Sequence, residues 1–262
     1  MTGQSKQFRI SSLSCDNKTY THSKEISNLL AATFSQISSD SNYNTQFLHI
    51  KHRFEINCPD FSSNNSENYN SPISIQELIN TIQLNIHKSA PGPDDVHPLM
   101  LKHLHPSALL YLLHIFNEIW KSGKIPEVWK CAIVIPILKP GLDKSNPANY
   151  RPISLTSVLG KLLEKIINKR LNWFLELNNL LGNNQYGFRK NRSTIFAVTN
   201  LVHSIQNAFT NKNPLYAVFF DLEKAYDTVW RHRILTILHK IGIRGYMGNY
   251  IADFLQNRKI SV

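Results

Sequence analysis

Two aspartates, Asp221 and Asp227, are the side chains whose spacing most clearly indicates chemistry. An apolar and aromatic run, residues 215–220, leads directly into Asp221, and a run of this length before a turn predicts a buried strand. A carboxylate at the end of such a strand is rigidly supported and meets little water. That setting suits Mg²⁺, which takes oxygen ligands and keeps some of its own waters. The pattern therefore predicts metal-assisted in-line attack at phosphorus.

Two cationic side chains that precede the acidic strand could bind phosphate. Lys139 and Arg151 each stand directly before a proline, which restricts their backbones to extended conformations and places each charge near a turn. Arginine can bind a triphosphate through two parallel hydrogen bonds, and lysine acts as a point charge. A third basic block, residues 184–190, lies between these turns and the aspartates along the chain. Together the blocks predict a phosphate site beside the carboxylates.

The charge of the chain is unevenly distributed and indicates a polyanionic partner. The net charge is +11, with eight Lys and Arg against ten Asp and Glu in residues 1–119, but twenty-one against eight in residues 120–262. A nucleic-acid surface is therefore expected in the second half. Three widely spaced cysteines indicate ordinary thiols in a reducing compartment. No apolar stretch approaches the roughly 18 residues of a membrane span, so we expect no membrane partner.

Composition divides the chain at residue 72. Residues 1–72 are interpreted as a polar N-terminal segment with one amphipathic helix from Ser23 and a Ser/Asn-rich linker, residues 59–72, too polar to bury much. Residues 73–262 form a second unit of alternating helical and strand patterns. Its predicted elements are a helix opened by the capping box Ser74 to Glu77, helices over 107–120, 157–175, 193–208, 230–240 and 245–255, strands over 132–138 and 215–220, and a strand beginning at 259.

The predicted helix 157–175 combines an apolar face with a basic one. Its basic residues, expected mostly opposite the apolar side, are Lys161, Lys165, Lys169 and Arg170. This face is either a solvated surface or a nucleic-acid contact. The later cluster Arg189, Lys190 and Arg192 has the same two interpretations.

Five sequence blocks, in family order, resemble the reverse transcriptase domain of non-LTR retrotransposons, especially jockey-like elements. The blocks are residues 89–94 (SAPGPD), 136–141 (PILKPG), 150–155 (YRPISL), 185–189 (QYGFR) and 220–227 (FDLEKAYD). The resemblance covers residues 75–262. It implies an α+β fold of the right-hand polymerase type, with fingers plus a partial palm, rich in helices and with an incomplete antiparallel palm sheet.

The resemblance also implies an activity, a cofactor and partners. The activity would be RNA-directed DNA polymerase, with an RNA template, a DNA primer, deoxynucleoside triphosphates and two Mg²⁺ ions. Asp221 would be the catalytic carboxylate and ligate both ions, and the backbone carbonyl of Leu222 would reach the ion that carries the nucleotide. Action in the nucleus is expected from the family; the sequence itself sets neither the localisation nor the oligomeric state.

Further residues take roles by the same resemblance. Tyr226 matches the residue whose ring lies under the incoming sugar and excludes a 2′-hydroxyl. Arg151 and Lys139 would contact the triphosphate. The residues that would lie against the template-primer near the active site are Gln185, Gly187, Phe188 and Arg189.

The Tyr-Ala-Asp-Asp motif, which carries the second carboxylate pair in this family, is not found in the 262 residues. Residues 250–254 (YIADF) have one carboxylate and an amphipathic helical pattern, so they are not taken for that hairpin. We therefore expect a fragment, the fingers and the first part of the palm. Its nucleotidyl transfer alone is expected to be weak or absent, because one carboxylate provides few ligands for two metal ions.

Each assignment has a structural alternative. Asp221 could cap a turn, and Asp227 could either belong to the site or stabilise the first turn of the next helix, where negative charge is favourable. For the whole chain, the alternative is a non-catalytic basic nucleic-acid-binding protein derived from such an element. A further alternative is a chain that does not fold, because its palm sheet lacks strands and exposes an edge.

Overall fold

The computed structural model describes residues 10–84 and 90–262. Its helices are α1 (Ser23–Ile37), α2 (Thr45–Glu55), α3 (Ile75–Leu84), α4 (Pro98–Lys102), α5 (Pro106–Ser122), α6 (Val158–Leu177), α7 (Thr194–Thr210), α8 (Arg231–Lys240) and α9 (Gly245–Phe254). Its strands are β1 (Leu13–Cys15), β2 (Lys18–Tyr20), β3 (Cys131–Leu138), β4 (Tyr150–Thr156) and β5 (Lys259–Ser261). None of the helices within these ranges is long and apolar enough to cross a membrane.

Local sequence signals set several helix ends as predicted. The capping box forms in full: the Ser74 amide donates to Glu77 Oε2 at 2.9 Å, and the Glu77 amide donates to Ser74 Oγ at 3.2 Å. Ser157 caps α6 by accepting an amide hydrogen bond. Helix α5 ends at Gly123, whose φ of +63° is left-handed. The part of the first block at Ser89 lies outside the described residues.

The main hydrophobic core lies between α3, α5, α6, α8 and α9. Its fully buried side chains lie on the inner faces that helical periodicity predicts. They include Phe116, Trp120, Leu163, Ile166 and Met247. This core supports the first turn of α6 and thereby the end of β4.

The expectation that residues 59–72 form a linker is wrong. Phe61, Tyr69 and Asn70 are buried, with 3%, 4% and 1% of their surfaces exposed. The Asn70 side chain accepts from the Met247 amide at 3.0 Å and donates to the Arg244 carbonyl at 3.1 Å, so it is satisfied inside the core. The average polarity of a segment does not reveal such burial, because a few apolar side chains at the right positions decide whether the segment packs.

Arg170 lies in the core, whereas the sequence placed it on the basic side of α6. Its guanidinium binds both carboxylate oxygens of Glu77, at 2.9 and 2.8 Å, and donates to three carbonyls of residues 69–72. Burial alone would raise the pKa of Glu77, but the hydrogen bonds from Arg170 and Ser74 lower it by more, so the pKa is below its usual value. This network joins α3, α6 and residues 69–72.

A second, smaller core joins the N-terminal segment to the sheet. Helix α1 buries Ile26, Leu30 and Phe34 in one cluster with Val134 of β3 and Tyr150 of β4. The N-terminal segment is therefore fixed to the strands that carry the predicted phosphate-binding residues.

Strand β3 is the centre of a three-stranded sheet with the order β4-β3-β5. Strand β4 pairs with it in antiparallel fashion, with Arg151 opposite Ile137, and β5 pairs with it in parallel. The expected combination of helices with a small sheet is confirmed. The predicted incomplete antiparallel palm sheet is not seen among the described residues: the three-stranded sheet is mixed, and residues 215–220 contribute no strand to it.

Candidate functional site

The run 215–220 is exposed and irregular, so the prediction of a buried strand is wrong. Phe219 and Phe220 expose 81% and 90% of their surfaces. Both edges of β3 are already occupied, by β4 and β5, and no described strand pairs with the run. Because a strand is stable only where a neighbour satisfies its backbone groups, this segment stays open to water. Helix α7, which precedes it, likewise contains no buried residue.

Asp221 consequently lies exposed at the entry to a turn, called the turn 221–227, and is followed by Leu222, which is 77% exposed. Its carboxylate makes no hydrogen bond or ion pair with any described residue. Carboxylate and carbonyl oxygens are chemically suited to Mg²⁺, which uses one or two carboxylates together with waters and substrate phosphates. In residues 10–84 and 90–262, no group of three or more His, Cys, Asp or Glu could hold a metal ion. Magnesium binding by Asp221 and Leu222 stays a prediction.

Asp227, rather than Asp221, lies near Lys139 and Arg151. A cavity of about 340 Å³, named the Arg151 cavity here, separates β4 from the turn 221–227. Its charged lining residues are Lys139, Arg151, Lys224 and Asp227. Three cations and one carboxylate give it a positive balance that favours phosphate. Asp221 lies along the same turn but does not line the cavity.

The β3–β4 connection positions the two predicted phosphate ligands. The Lys139 amide donates to the Asn149 carbonyl at 2.9 Å, and its Nζ donates to the Ala148 carbonyl at 3.1 Å. Gly141, with φ of +75°, allows the chain to turn back. Arg151 is exposed on β4 and forms no ion pair with any residue that the structure describes. Its guanidinium is therefore available to an anion.

The structure brings Phe188 and Tyr226 together, although 38 positions separate them in the sequence. Their rings meet edge to face, with centroids 6.4 Å apart and planes at 90°. Both rings are exposed, and Phe188 has a left-handed φ of +59°. Gln185 and Gly187 are exposed in the same turn. The residues predicted to meet the template-primer thus lie beside the residue predicted to meet the sugar, and both roles stay predictions.

Arg189 is held by another part of the chain. It forms an ion pair with Glu176 near the end of α6 and donates to the Gly182 carbonyl at 2.7 Å. The hydrogen bond lowers the pKa of Glu176 and raises that of Arg189. Arg189 fixes the loop 182–189 to α6 in this structure, and its contact with the template-primer stays a prediction.

The contribution of the N-terminal segment to this region was not predicted. Gln36 of α1 and Asn42 line the Arg151 cavity. The Tyr43 hydroxyl donates to the Thr228 carbonyl at 2.8 Å, across 185 positions of sequence. No local pattern could have indicated these contacts, because each depends on a distant partner.

Residues 250–254 lie in a helix, as predicted. Asp253 of α9 accepts from the Ile125 amide at 2.8 Å and pairs with Lys130 Nζ at 2.9 Å. The Lys130 side chain is only 2% exposed. Asp253 therefore compensates a buried charge and is not part of the candidate site.

Comparison with known families covers four of the five sequence blocks, the second of them from Ile137 onward. Residues 137–261 match the family model described as reverse transcriptase (RNA-dependent DNA polymerase). These residues belong to the reverse transcriptase family. The match includes Arg151, the turn 221–227 and all of the predicted site residues.

Sequence relatives place this reverse transcriptase segment near non-LTR retrotransposons, which confirms the resemblance. The chain is 37% identical over 191 residues to the probable RNA-directed DNA polymerase from transposon BS of Drosophila melanogaster. It is 32% identical over 191 residues to the RNA-directed DNA polymerase from mobile element jockey of Drosophila funebris. Each match covers 73% of this chain and 21% of the relative, so the chain spans about a fifth of the length of these relatives.

Proposed function

We propose that this chain acts in RNA-directed DNA synthesis, as the part of a polymerase that holds the incoming deoxynucleotide against an RNA template and a DNA primer. The observation that carries the proposal is the Arg151 cavity. It brings Lys139, just after β3, and Arg151 of β4 together with the turn 221–227, and these residues lie within the segment that matches reverse transcriptases. A deoxynucleoside triphosphate is the polyanion that such a site would take.

In this proposal, different side chains bind different parts of the nucleotide. Arg151 binds the triphosphate through its planar guanidinium, and Lys139 adds a point charge. Tyr226 lies under the sugar, supported at its edge by Phe188. Asp221 and the Leu222 carbonyl supply hard oxygen ligands for magnesium.

The reaction is attack by the primer 3′-hydroxyl on the α-phosphate, with pyrophosphate as the leaving group. Bound Mg²⁺ would supply charge neutralisation and Lewis-acid activation at phosphorus. The chain's own contribution is position: Arg151 and Lys139 hold the β- and γ-phosphates so that the leaving group stays in line with the attacking oxygen.

We expect primer extension by the 262 residues alone to be slow. Asp221 is the one acidic side chain that we assign to the two metal ions, and poorly held ions stabilise the transition state less. Each ~1.4 kcal/mol lost from that stabilisation slows the reaction tenfold. Nucleotide binding depends on fewer groups and is therefore the more direct test.

The test measures how long the chain stays on a labelled oligo(dT)–poly(rA) hybrid in the presence of Mg²⁺. Complementary dTTP is expected to slow dissociation, and non-complementary dCTP is not. Asp221→Asn is expected to abolish the difference, whereas Glu223→Gln, which changes a neighbouring acid on the same turn, preserves it. Equal dissociation with both nucleotides would instead favour a nucleic-acid-binding protein without a nucleotide site.

A further inference from the structure

Helix α6 presents a regular series of side chains, three of them exposed and Lys161 half-buried, that the proposed nucleotide site does not use. Lys161, Lys165, Lys169 and Trp173 follow one another at steps of four residues. Side chains four apart on a helix are neighbours, about 5–6 Å between Cβ atoms, so the four form one slowly winding stripe. We call these four residues the α6 stripe.

The end of the α6 stripe opens into a cavity. Lys169 and Trp173 line a space of about 530 Å³, which residues 68–77 close on the other side. The Trp173 side chain remains 47% exposed, in contrast to the fully buried Trp120. The cavity is wide open to solvent. It therefore combines an accessible aromatic face with a lysine.

Polar groups also line this cavity. Asn68 and Ser71 are at its rim, and they offer hydrogen bonds to a planar polar ligand. The charges of Glu77 and Arg170 on the cavity wall compensate each other through their ion pair. The net charge that a ligand meets therefore comes from the stripe.

The acids of α6 near the stripe are bound by arginines from elsewhere. Glu176 pairs with Arg189 at 2.6 Å, and Glu164 lies 3.9 Å from Arg258. Burial raises the pKa of Glu164, although Arg258 and Lys161 oppose the shift, so its negative charge is disfavoured. Lys161 and Lys169 form no ion pair with a carboxylate in the described parts of the chain. These two lysines consequently give the stripe a positive charge.

We propose that the α6 stripe binds single-stranded nucleic acid, with one base stacked on Trp173 and the phosphates along the three lysines. Lysines attract the backbone without regard to sequence, and an aromatic ring accepts any unstacked base. A duplex keeps its bases stacked inside, so the stacking position requires a single strand. The choice of RNA as that strand rests on the proposed function, since an unpaired template must approach the polymerase.

The charge part of the proposal is tested with a fluorescent single-stranded oligouridylate and the whole chain, by anisotropy at several salt concentrations. The variant Lys161→Gln, Lys165→Gln, Lys169→Gln is expected to flatten the slope of log affinity against log salt by about 2, since each lost phosphate contact contributes about 0.7. The matched control removes three exposed lysines elsewhere: Lys24→Gln, Lys102→Gln, Lys240→Gln. It is expected to keep the slope. Equal slopes for the two triple variants overturn the proposal.

The stacking part is tested at Trp173. Trp173→Ala is expected to weaken single-strand binding about 5- to 150-fold, and Trp173→Phe far less, because a ring remains. Binding to an RNA–DNA duplex is expected to change little in either variant. Circular dichroism and the thermal midpoint establish that each variant is folded. A folded Trp173→Ala chain with unchanged single-strand affinity overturns the proposal.

The outcomes for the α6 stripe and for the nucleotide site are separable. If α6 variants bind the oligouridylate normally while dTTP still discriminates on the hybrid, the stripe is excluded and the proposed function stands. If dTTP has no effect but the stripe variants lose single-strand binding, the nucleotide site is excluded and the α6 stripe stands. Absence of oligouridylate binding by the unmodified chain also overturns the stripe.

Discussion

Arg189 and Glu176 form a two-point ion pair, with Nε on Oε1 at 2.8 Å and Nη2 on Oε2 at 2.6 Å. The Arg189 side chain is only 7% exposed. The family resemblance predicts that Arg189 contacts the template-primer, beside Gln185 and Phe188. The geometry instead favours a positioning role, in which Arg189 holds the turn that presents these neighbours.

The first prediction separates these two roles. If Arg189 positions the loop, then Arg189→Ala and Glu176→Gln both loosen residues 182–189, and both weaken hybrid binding to a similar extent. Amide hydrogen exchange of the loop and affinity for the RNA–DNA hybrid check this. If Arg189 contacts nucleic acid directly, Arg189→Ala alone loses affinity, because Glu176→Gln leaves the cation in place.

The second prediction concerns the sugar. Tyr226→Val is expected to reduce the preference for dTTP over UTP in the hybrid-dissociation measurement by about tenfold, 1.4 kcal/mol, because the ring that excludes a 2′-hydroxyl is gone. Phe188→Ala is expected to give a smaller reduction, since an edge-to-face pair contributes about 0.5–1.5 kcal/mol to the position of Tyr226. An unchanged preference in Tyr226→Val would remove this residue from the sugar site.

The third prediction concerns the triphosphate. Arg151→Ala is expected to raise the dTTP concentration for half-maximal stabilisation about 10- to 100-fold, because charged hydrogen bonds contribute roughly 1.5–3 kcal/mol. Arg151→Lys is expected to be intermediate, since it keeps the charge and loses the paired geometry. Lys144→Ala, in the same β3–β4 connection but outside the cavity lining, is the control. Equal effects of Arg151→Ala and Lys144→Ala would contradict the assignment.

The fourth prediction concerns stability. Asp253→Asn is expected to lower the free energy of unfolding by about 3 kcal/mol, because it leaves the buried Lys130 ammonium without its closest carboxylate. Glu118→Gln breaks the exposed pair with Lys121 and is expected to change the free energy of unfolding by less than about 0.5 kcal/mol. Urea unfolding measures both. Similar values for the two variants would show that the Asp253 contact stabilises little.

The Asp253 carboxylate is also expected to make the stability of the fold depend on pH. Burial would raise the pKa of Asp253, but hydrogen bonds from Ile125 and Lys130 lower it by more, to below its usual value of 3.8. A folded-state pKa below the unfolded one gives stability that is present above the unfolded pKa and lost as pH falls through the folded pKa. Between pH 5 and 2, the free energy of unfolding is therefore expected to fall less steeply in Asp253→Asn than in the parent chain.

Local sequence signals were sufficient for features whose partners are near in the chain. The capping box Ser74–Glu77, the left-handed end of α5 at Gly123 and the helical nature of residues 250–254 were all predicted. Each depends on hydrogen bonds within about four residues, so the residue types themselves specify it. The ordered blocks around Arg151 and Asp221 likewise indicate the family from the sequence alone.

Contacts between residues far apart in the sequence decided which segments are buried and how the candidate site is arranged. The sequence alone established the family, the helices and the identity of the charged groups. Only the tertiary structure showed that Arg170 is buried, that residues 59–72 pack, that residues 215–220 find no strand to pair with, and that Asp227 faces Arg151 across a cavity. The physical reason is that burial and strand pairing depend on which distant surfaces meet, and apolar periodicity records only that a surface needs a partner.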